Sequence, residues 1–206
     1  MEKISLCPQS IFKFECLDEE LILNIYNNLQ NENWVKNTNN FFTKNSRLEK
    51  DKNYKNIVDW FDDCLYQVQQ EIKLQCDKLK IIQMWGNRSE FQQWHHPHVH
   101  HNSLISGIFY LVNSDSCTWF SVENIWDLWS NSLGLKPYFD RENFSRVIHK
   151  EKTIRGNLLI FPSYLYHSVD ENTNVDYDRY TISFNTFPCG KIGSYDKAEG
   201  LEIDIN

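Results

Sequence analysis

The stretch Trp94-His95-His96-Pro97-His98-Val99-His100-His101 contains five of the seven histidines of this 206-residue chain. The run is internal and is interrupted by Pro97 and Val99, unlike the uninterrupted terminal run of an expression tag. Imidazole is the commonest metal ligand among protein side chains. The run therefore predicts a metal site that needs at least one further ligand from elsewhere in the chain.

Around the histidine run, apolar residues recur with the period of two that is typical of β-strands. Short runs rich in β-branched and aromatic residues, separated by turn residues, occupy residues 80–87, 104–112, 153–161 and 179–187. Short strands at such spacings are typical of a sandwich or a small barrel. The sequence therefore predicts an α+β chain, mainly β, whose core is a double-stranded β-helix of the jelly-roll or cupin-like type.

The residues before this core predict a strand and two supporting helices. Residues 11–14 favour a short strand, and Asp18 is placed to cap a helix whose apolar residues recur at three and four. Residues 54–76 predict a longer helix with one apolar and one charged face, which would back a sheet. The polar, asparagine-rich residues 31–53 predict a long irregular connection.

The predicted organisation is one domain over residues 1–206. In it, residues 1–79 form the strand and supporting helices, residues 80–190 form the jelly-roll core, and residues 191–206 form a tail. The core contains an aromatic-rich insert at residues 113–150, whose role stays open between a lid, a homodimer contact and additional core.

The overall charge and the cysteines exclude several classes of protein. The formal net charge is −7, which argues against a nucleic-acid partner because phosphate contacts need clustered basic residues. The sequence has no apolar run long enough to span a membrane and no secretory signal at its start. The six cysteines form no C-x-x-C pair, so a zinc ribbon is not expected. We expect the cysteines to be reduced thiols in a cytoplasm.

The metal site can be assembled from two strands. Residues two apart on a strand point to the same face, so His98 and His100 can both face one ion. A third ligand, His167, follows an apolar strand and a proline-marked turn within residues 156–167. The predicted metal ligands, which are also the predicted catalytic residues, are His98, His100 and His167.

A third motif, Arg179-Tyr180-Thr181-Ile182-Ser183-Phe184-Asn185, has a polar odd-numbered face and an apolar even-numbered face. A continuous polar face in a β core indicates a solvated pocket, because buried polar groups without partners are costly. The guanidinium of Arg179 suits a carboxylate. Asn87, Tyr110 and Asn185 are expected near the same pocket, where each contacts a ligand or is satisfied within the core.

Taken together, these motifs resemble the iron(II)/2-oxoglutarate-dependent oxygenases, and more closely a group of them from marine bacteria and their phages. That group has Trp-x-Asn, His-x-His-Pro-Asn-Ser-x-x-Ser-Gly-x-Tyr-Tyr-Leu, Gly-x-Leu-x-Phe-Pro-Ser-x-Leu-x-His and Arg-x-x-x-Ser-Phe-Asn. The corresponding stretches in this chain are 85–87, 98–111, 156–167 and 179–185. The distance to the Ser106-Gly107 pair selects His98 and His100 over His96 and His98.

The resemblance implies an oxygenase that uses Fe(II), 2-oxoglutarate and O2. Its expected reaction is hydroxylation of an unactivated C–H bond of a small molecule or amino-acid side chain, with release of succinate and CO2. The resemblance also implies that Arg179 and Thr181 hold the distal carboxylate of 2-oxoglutarate, and Asn87, Tyr110 and Asn185 are further candidate contacts. The expected location is the cytoplasm of a bacterial or phage-infected cell.

The chain departs at His100 from the family at large, which has a carboxylate at this position in a His-x-Asp/Glu motif. Either three histidines hold the metal, or His100 turns away and leaves an open position, an arrangement similar to that of iron halogenases. Residues 156–167 also resemble a cupin motif, so a three-histidine dioxygenase without 2-oxoglutarate is an alternative. A cupin motif would have a glutamate a few residues after His-x-His, and residues 102–105 of this chain contain none. A non-catalytic metal-binding β module is the third alternative.

Overall fold

The computed structural model describes residues 10–122, 147–197 and 199–205. Within these residues the two α-helices are α1 (Glu19–Gln30) and α2 (Lys55–Glu71). The strands, in chain order, are β1 (Phe12–Glu15), β2 (Trp34–Lys36), β3 (Phe41–Thr43), β4 (Cys76–Ser89), β5 (His95–His98), β6 (Ile105–Tyr110), β7 (Ser114–Val122), β8 (Val147–Thr153), β9 (Asn157–Pro162), β10 (Tyr166–Val169), β11 (Arg179–Ile192) and β12 (Leu201–Ile203).

The strands form two antiparallel sheets. The major sheet has the order β1-β9-β6-β11-β4-β3-β2, with β12 paired to β11, and the minor sheet has the order β5-β10-β7-β8. Side chains from both sheets pack between them: Ile108 and Phe161 of the major sheet belong to one buried cluster with Phe120 of the minor sheet. The predicted fold class, a mainly β chain with a double-stranded β-helix core, is confirmed.

The helices cover the outer face of the major sheet, and β11 shows why. Its even-numbered residues Ile182 and Phe184 are fully buried on the helix side, where the Phe184 ring lies 4.9 Å from that of Phe61 on α2. Burying a phenylalanine side chain stabilises a fold by roughly 1.5–3 kcal/mol. The odd-numbered residues consequently face the space between the two sheets, as the alternation of the sequence predicts.

Local features explain where α1 begins and where α2 ends. Asp18 caps α1 as predicted, since its Oδ1 accepts a hydrogen bond from the Leu21 backbone N–H at 2.9 Å. Helix α2 ends at Glu71, earlier than predicted. Lys73 then adopts a positive φ of 53°, and the chain turns directly into β4, which begins at Cys76.

The prediction of an irregular connection over residues 31–53 is wrong. Strands β2 and β3 form a hairpin that extends the major sheet, with Phe41 opposite Arg88 and Phe42 opposite Asn87 of β4. Each strand has only three residues, too few to show an alternating pattern among the surrounding asparagines. This hairpin brings an unexpected segment to the edge of the space between the sheets.

The described parts of the insert belong to the minor sheet. Strand β7 contains the buried Phe120 as well as Trp119, whose indole N–H donates to Asp170 Oδ1 at 2.5 Å. The sequence of the insert also allows a helix over residues 122–133, and this stretch lies almost wholly outside the described residues. At the other end of the chain, β12 pairs with β11 through residues 190–192. No helix in the described ranges is long and apolar enough to cross a membrane.

Candidate active site

A cavity opens between the two sheets and has about 490 Å³ of empty space, counting its mouth. The major sheet supplies its polar wall, and the histidines of the minor sheet lie across from it. The polar wall consists of Arg179, Thr181 and Ser183 on β11, and Trp85, Asn87 and Ser89 on β4.

The three predicted metal ligands converge in this cavity. His98 ends β5 and lies opposite His167 on β10. His100 follows the end of the strand, and its position is fixed by its backbone N–H, which donates to the Ser163 carbonyl at 2.9 Å. The expectation that His98 and His100 share one strand is therefore wrong. Their imidazoles nevertheless converge, because one ligand-capable nitrogen from each histidine lies within 4.8 Å of the others.

Oxygen acceptors orient all three rings in the same way. In His98, the Nδ1 atom lies 2.8 Å from the carbonyl oxygen of His96. In His167, it lies 2.9 Å from the carbonyl oxygen of Leu165, and in His100 it lies 2.6 Å from Asn185 Oδ1. Because these oxygens only accept, each Nδ1 carries the hydrogen of a neutral ring. Each Nε2 then has a free lone pair, which is how metal-binding histidines are usually held.

The spacing of the lone pairs fits a metal ion. His100 Nε2 lies 3.2 Å from His167 Nε2. With both nitrogens unprotonated, this contact is repulsive unless a cation lies between them. Metal–nitrogen bonds of about 2.1 Å at right angles would place two ligand nitrogens about 3 Å apart. The donor set therefore fits a divalent transition metal bound by three imidazoles.

Burial keeps these histidines neutral. It lowers the pKa of His100 to about 4, lowers that of His167 well below the usual value, and lowers that of His98 as well, in each case mainly by desolvating the charged form. The neighbouring imidazoles lower these pKa values further. Neutral imidazole is the form that binds metal, so the rings need not lose a proton at neutral pH.

Asn185, a predicted cosubstrate contact, lies behind His100 and does not line the cavity. Its Oδ1 accepts from His100 Nδ1 and from Ser106 Oγ at 2.9 Å, and its Nδ2 donates to Gln83 Oε1 at 3.1 Å. Every one of these partners holds the amide in one orientation. Asn185 therefore positions the ring of His100.

Arg179 lies at the other end of the cavity and is only 4% exposed. Its Nη1 donates to Ser116 Oγ and the Asp170 carbonyl, and its Nη2 donates to Ser89 Oγ. Burial lowers the pKa of Arg179 to about 10, so the group stays cationic at neutral pH. Within the described residues its hydrogen-bond partners are all neutral oxygens, and a buried cation held this way attracts an anion.

The other predicted cosubstrate contacts form the wall between Arg179 and the histidines. Asn87 Nδ2 donates to Ser183 Oγ at 2.9 Å and to Thr181 Oγ1 at 3.4 Å. The two hydroxyl groups accept from Asn87, so their own hydrogens are available to a ligand. The Tyr110 hydroxyl lies 2.6 Å from Thr118 Oγ1. Arg179, Thr181, Asn87 and Tyr110 therefore all line the cavity, as predicted.

The structure adds residues that the motifs did not single out. The ring of His95 lines the cavity and stacks on that of His98 at 4.3 Å, and burial lowers the pKa of His95 to about 3. In contrast, His96 and His101 are exposed. Asn40 also lines the cavity, from the hairpin that the sequence did not predict. His149 lies on β8, where it hydrogen-bonds Glu151.

Two antiparallel sheets, a cluster of three histidines and a buried arginine define a metal-dependent enzyme of the double-stranded β-helix class. A family model described as "Putative 2OG-Fe(II) oxygenase" matches residues 83–185, half of the chain. The chain belongs to this family and is a 2-oxoglutarate-dependent oxygenase. The predicted cofactors, Fe(II), 2-oxoglutarate and O2, are those of the family, whereas the cupin-type and non-catalytic alternatives are not supported.

Solved structures share the fold at low sequence identity. HygX from Streptomyces hygroscopicus, with nickel and 2-oxoglutarate bound, is 10% identical over 87% of this chain and 83% of its own, with a TM-score of 0.62. The α-ketoglutarate-dependent epimerase SnoN from nogalamycin biosynthesis is 10% identical over 90% and 81%, with a TM-score of 0.64. A Pseudomonas putida prolyl-4-hydroxylase is 11% identical over 88% and 94%, with a TM-score of 0.59. No curated protein matches the sequence significantly.

Proposed function

We propose that His98, His100 and His167 together hold Fe(II), and that Arg179 and Thr181 bind the distal carboxylate of 2-oxoglutarate. The reaction is hydroxylation of an unactivated C–H bond, with release of succinate and CO2. The observation that carries this proposal is the arrangement of the cavity. One ligand-capable nitrogen from each of the three histidines lies at one end, and the buried cation of Arg179 lies at the other.

Several contacts support His100 as a ligand rather than a residue turned away from the metal. The Asn185 hydrogen bond of 2.6 Å fixes its ring, and the backbone bond to Ser163 fixes its main chain. The ring also lies 5.6 Å from that of Trp85. Turning His100 away would break the bond to Asn185 and leave a buried amide oxygen with one partner fewer, which is costly.

The protein contributes orientation and the exclusion of water, and bound iron with 2-oxoglutarate supplies the oxidation chemistry. Ser183 and Thr181 lie on β11 between Arg179 and the histidines, so their free hydroxyl hydrogens can align the cosubstrate along the strand. Apolar groups, including Ile108 and Val169, close the remaining wall and limit the access of water.

The substrate is a small molecule or an amino-acid side chain. The cavity is a narrow space between two sheets, and the net charge of −7 disfavours a nucleic-acid substrate. One of the similar structures, HygX, was solved with hygromycin B bound, which supports a small-molecule substrate for this fold. His95, at the side of the metal cluster, is placed to contact a substrate.

Anaerobic calorimetry with Fe(II) and then 2-oxoglutarate tests both parts of the proposal. We expect His98→Ala, His100→Ala and His167→Ala each to weaken metal binding strongly. Arg179→Ala should keep the metal and lose 2-oxoglutarate, because it removes the cation at the far end. Aerobic incubation of the wild type should release succinate.

The variants also separate the alternatives for His100. If His100→Ala binds Fe(II) as tightly as the wild type, two histidines suffice and the open-position arrangement is correct. Phe120→Leu changes a ring that stacks on His167 at 5.9 Å but removes no metal-ligating group, so it serves as the control for general damage to this region.

A further inference from the structure

The side chain of Asn40 is enclosed in the cavity wall, yet it makes no hydrogen bond within the described part of the chain. The residue is 2% exposed, and its Oδ1 atom is buried without a partner. Buried side-chain amides in native proteins are almost always hydrogen-bonded. Because Asn40 lines the cavity, a bound ligand is the partner that the protein itself does not supply.

The strand register places Asn40 at the arginine end of the cavity. Phe41 of β3 lies opposite Arg88 of β4, so the preceding residue, Asn40, lies beside Ser89. The hydroxyl of Ser89 accepts a hydrogen bond from Arg179 Nη2 at 2.9 Å. Asn40, Ser89 and Arg179 thus form one row across the sheet, at the end opposite His100.

The hydrogen-bonding capacity at this end is incompletely used. The Nη1 atom of Arg179 donates both of its hydrogens within the protein, and Nη2 donates one of its two. An ionised carboxylate has about four acceptor sites, more than the remaining guanidinium hydrogens can fill. The amide of Asn40 offers two further N–H donors. Since neither end of this amide is held, it can rotate to present Nδ2 without breaking a hydrogen bond.

We propose that Asn40 is a third anchor for the distal carboxylate of 2-oxoglutarate, to which its Nδ2 donates beside Arg179 and Thr181. This inference rests on the proposed function, which assigns that end of the cavity to the carboxylate. It makes the β2–β3 hairpin a part of the cosubstrate site. It also explains why a buried amide lacks a partner in the protein alone.

Calorimetric titration of the full chain loaded with Ni(II), which avoids turnover, tests this assignment. We expect Asn40→Ala to weaken 2-oxoglutarate binding about 10-fold or more, the usual effect of one hydrogen bond to a charged group. Asn40→Asp should weaken it further, because a second carboxylate would face the ligand. Pyruvate, a 2-oxo acid without a distal carboxylate, should bind both variants as it binds the wild type.

Two controls isolate the effect. Asn39→Ala changes the neighbouring asparagine, which does not line the cavity, and should leave the affinity for 2-oxoglutarate unchanged. Thermal unfolding of the ligand-free protein should show Asn40→Ala to be at least as stable as the wild type, since the substitution removes an unsatisfied buried amide. A purely structural role for Asn40 predicts the opposite.

The outcomes distinguish this inference from the proposed function. Wild-type affinity for 2-oxoglutarate in Asn40→Ala, together with a loss in Arg179→Ala, overturns the role of Asn40 alone. Equal losses of affinity for pyruvate and 2-oxoglutarate also overturn it, because they indicate a general distortion of the cavity. A wild type that binds metal but not 2-oxoglutarate overturns the proposed function, and this inference with it.

Discussion

Replacing Asn185 by alanine should weaken metal binding without removing any ligand. The substitution deletes the oxygen that lies 2.6 Å from His100 Nδ1 and fixes both the ring and its tautomer. Loss of such an outer partner typically costs about 10- to 100-fold in metal affinity. The rings of Trp85 and Phe161 still restrain His100, with centroids at 5.6 and 6.2 Å. We therefore expect the lower end of this range, about 10-fold, or about 1.4 kcal/mol.

The assay is anaerobic titration of the variant with Fe(II), with two variants as controls. Asn185→Asp keeps an acceptor for His100 Nδ1 and should retain most of the affinity. Gln83→Ala removes only the partner of Asn185 Nδ2 and should change the affinity less than Asn185→Ala does. If Asn185→Ala binds Fe(II) as tightly as the wild type while His100→Ala does not, the hydrogen bond does not position the ligand and the reasoning is refuted.

Three further predictions concern the scaffold. Gly107→Ala should destabilise the fold by about 1–3 kcal/mol in urea denaturation, because the new Cβ would lie 2.2 Å from the buried Phe184 ring. Phe184→Leu in the same chain should recover part of the loss, and equal stability of Gly107→Ala and wild type would contradict the packing. Asp18→Ala should cost about 1 kcal/mol by removing the cap of α1, whereas Asp18→Asn should cost little, and the same denaturation assay compares them. Burial raises the pKa of Cys64 to about 12, so its thiol should remain protonated and resist alkylation at pH 8 in the native state. Peptide mass spectrometry measures the extent of alkylation. Rapid labelling of the native protein would contradict this prediction and show that the site opens.

The parts of the fold that the sequence predicts are those with long, regular patterns. The alternation along residues 179–185 correctly separates the helix-facing Ile182 and Phe184 from the cavity-facing Arg179 and Thr181. The hairpin of β2 and β3 escapes prediction, because three-residue strands carry no readable period and owe their pairing to the neighbouring strand β4. Asn40 is missed for the same reason.

The convergence of the three histidines matches the expectation, but the argument that led to it was partly wrong. Strand parity predicts that His98 and His100 point the same way, but β5 ends at His98. His100 reaches the cluster because Ser163 and Asn185, from two other segments, hold its backbone and its ring. Such contacts join residues more than 60 positions apart in the chain, so no local pattern reveals them.

His100 stands where the family at large has a carboxylate, and this difference alters the charge balance of the whole cavity. In the proposed site, three neutral imidazoles would leave the double positive charge of the metal uncompensated, and Arg179 adds a further positive charge at the other end. Among the described residues that line the cavity none is acidic. In the proposed arrangement, the dianion of 2-oxoglutarate would place one carboxylate near each of these positive centres. Binding of the metal and of 2-oxoglutarate should therefore strengthen each other reciprocally, more than in a site where a protein carboxylate already neutralises part of the metal charge.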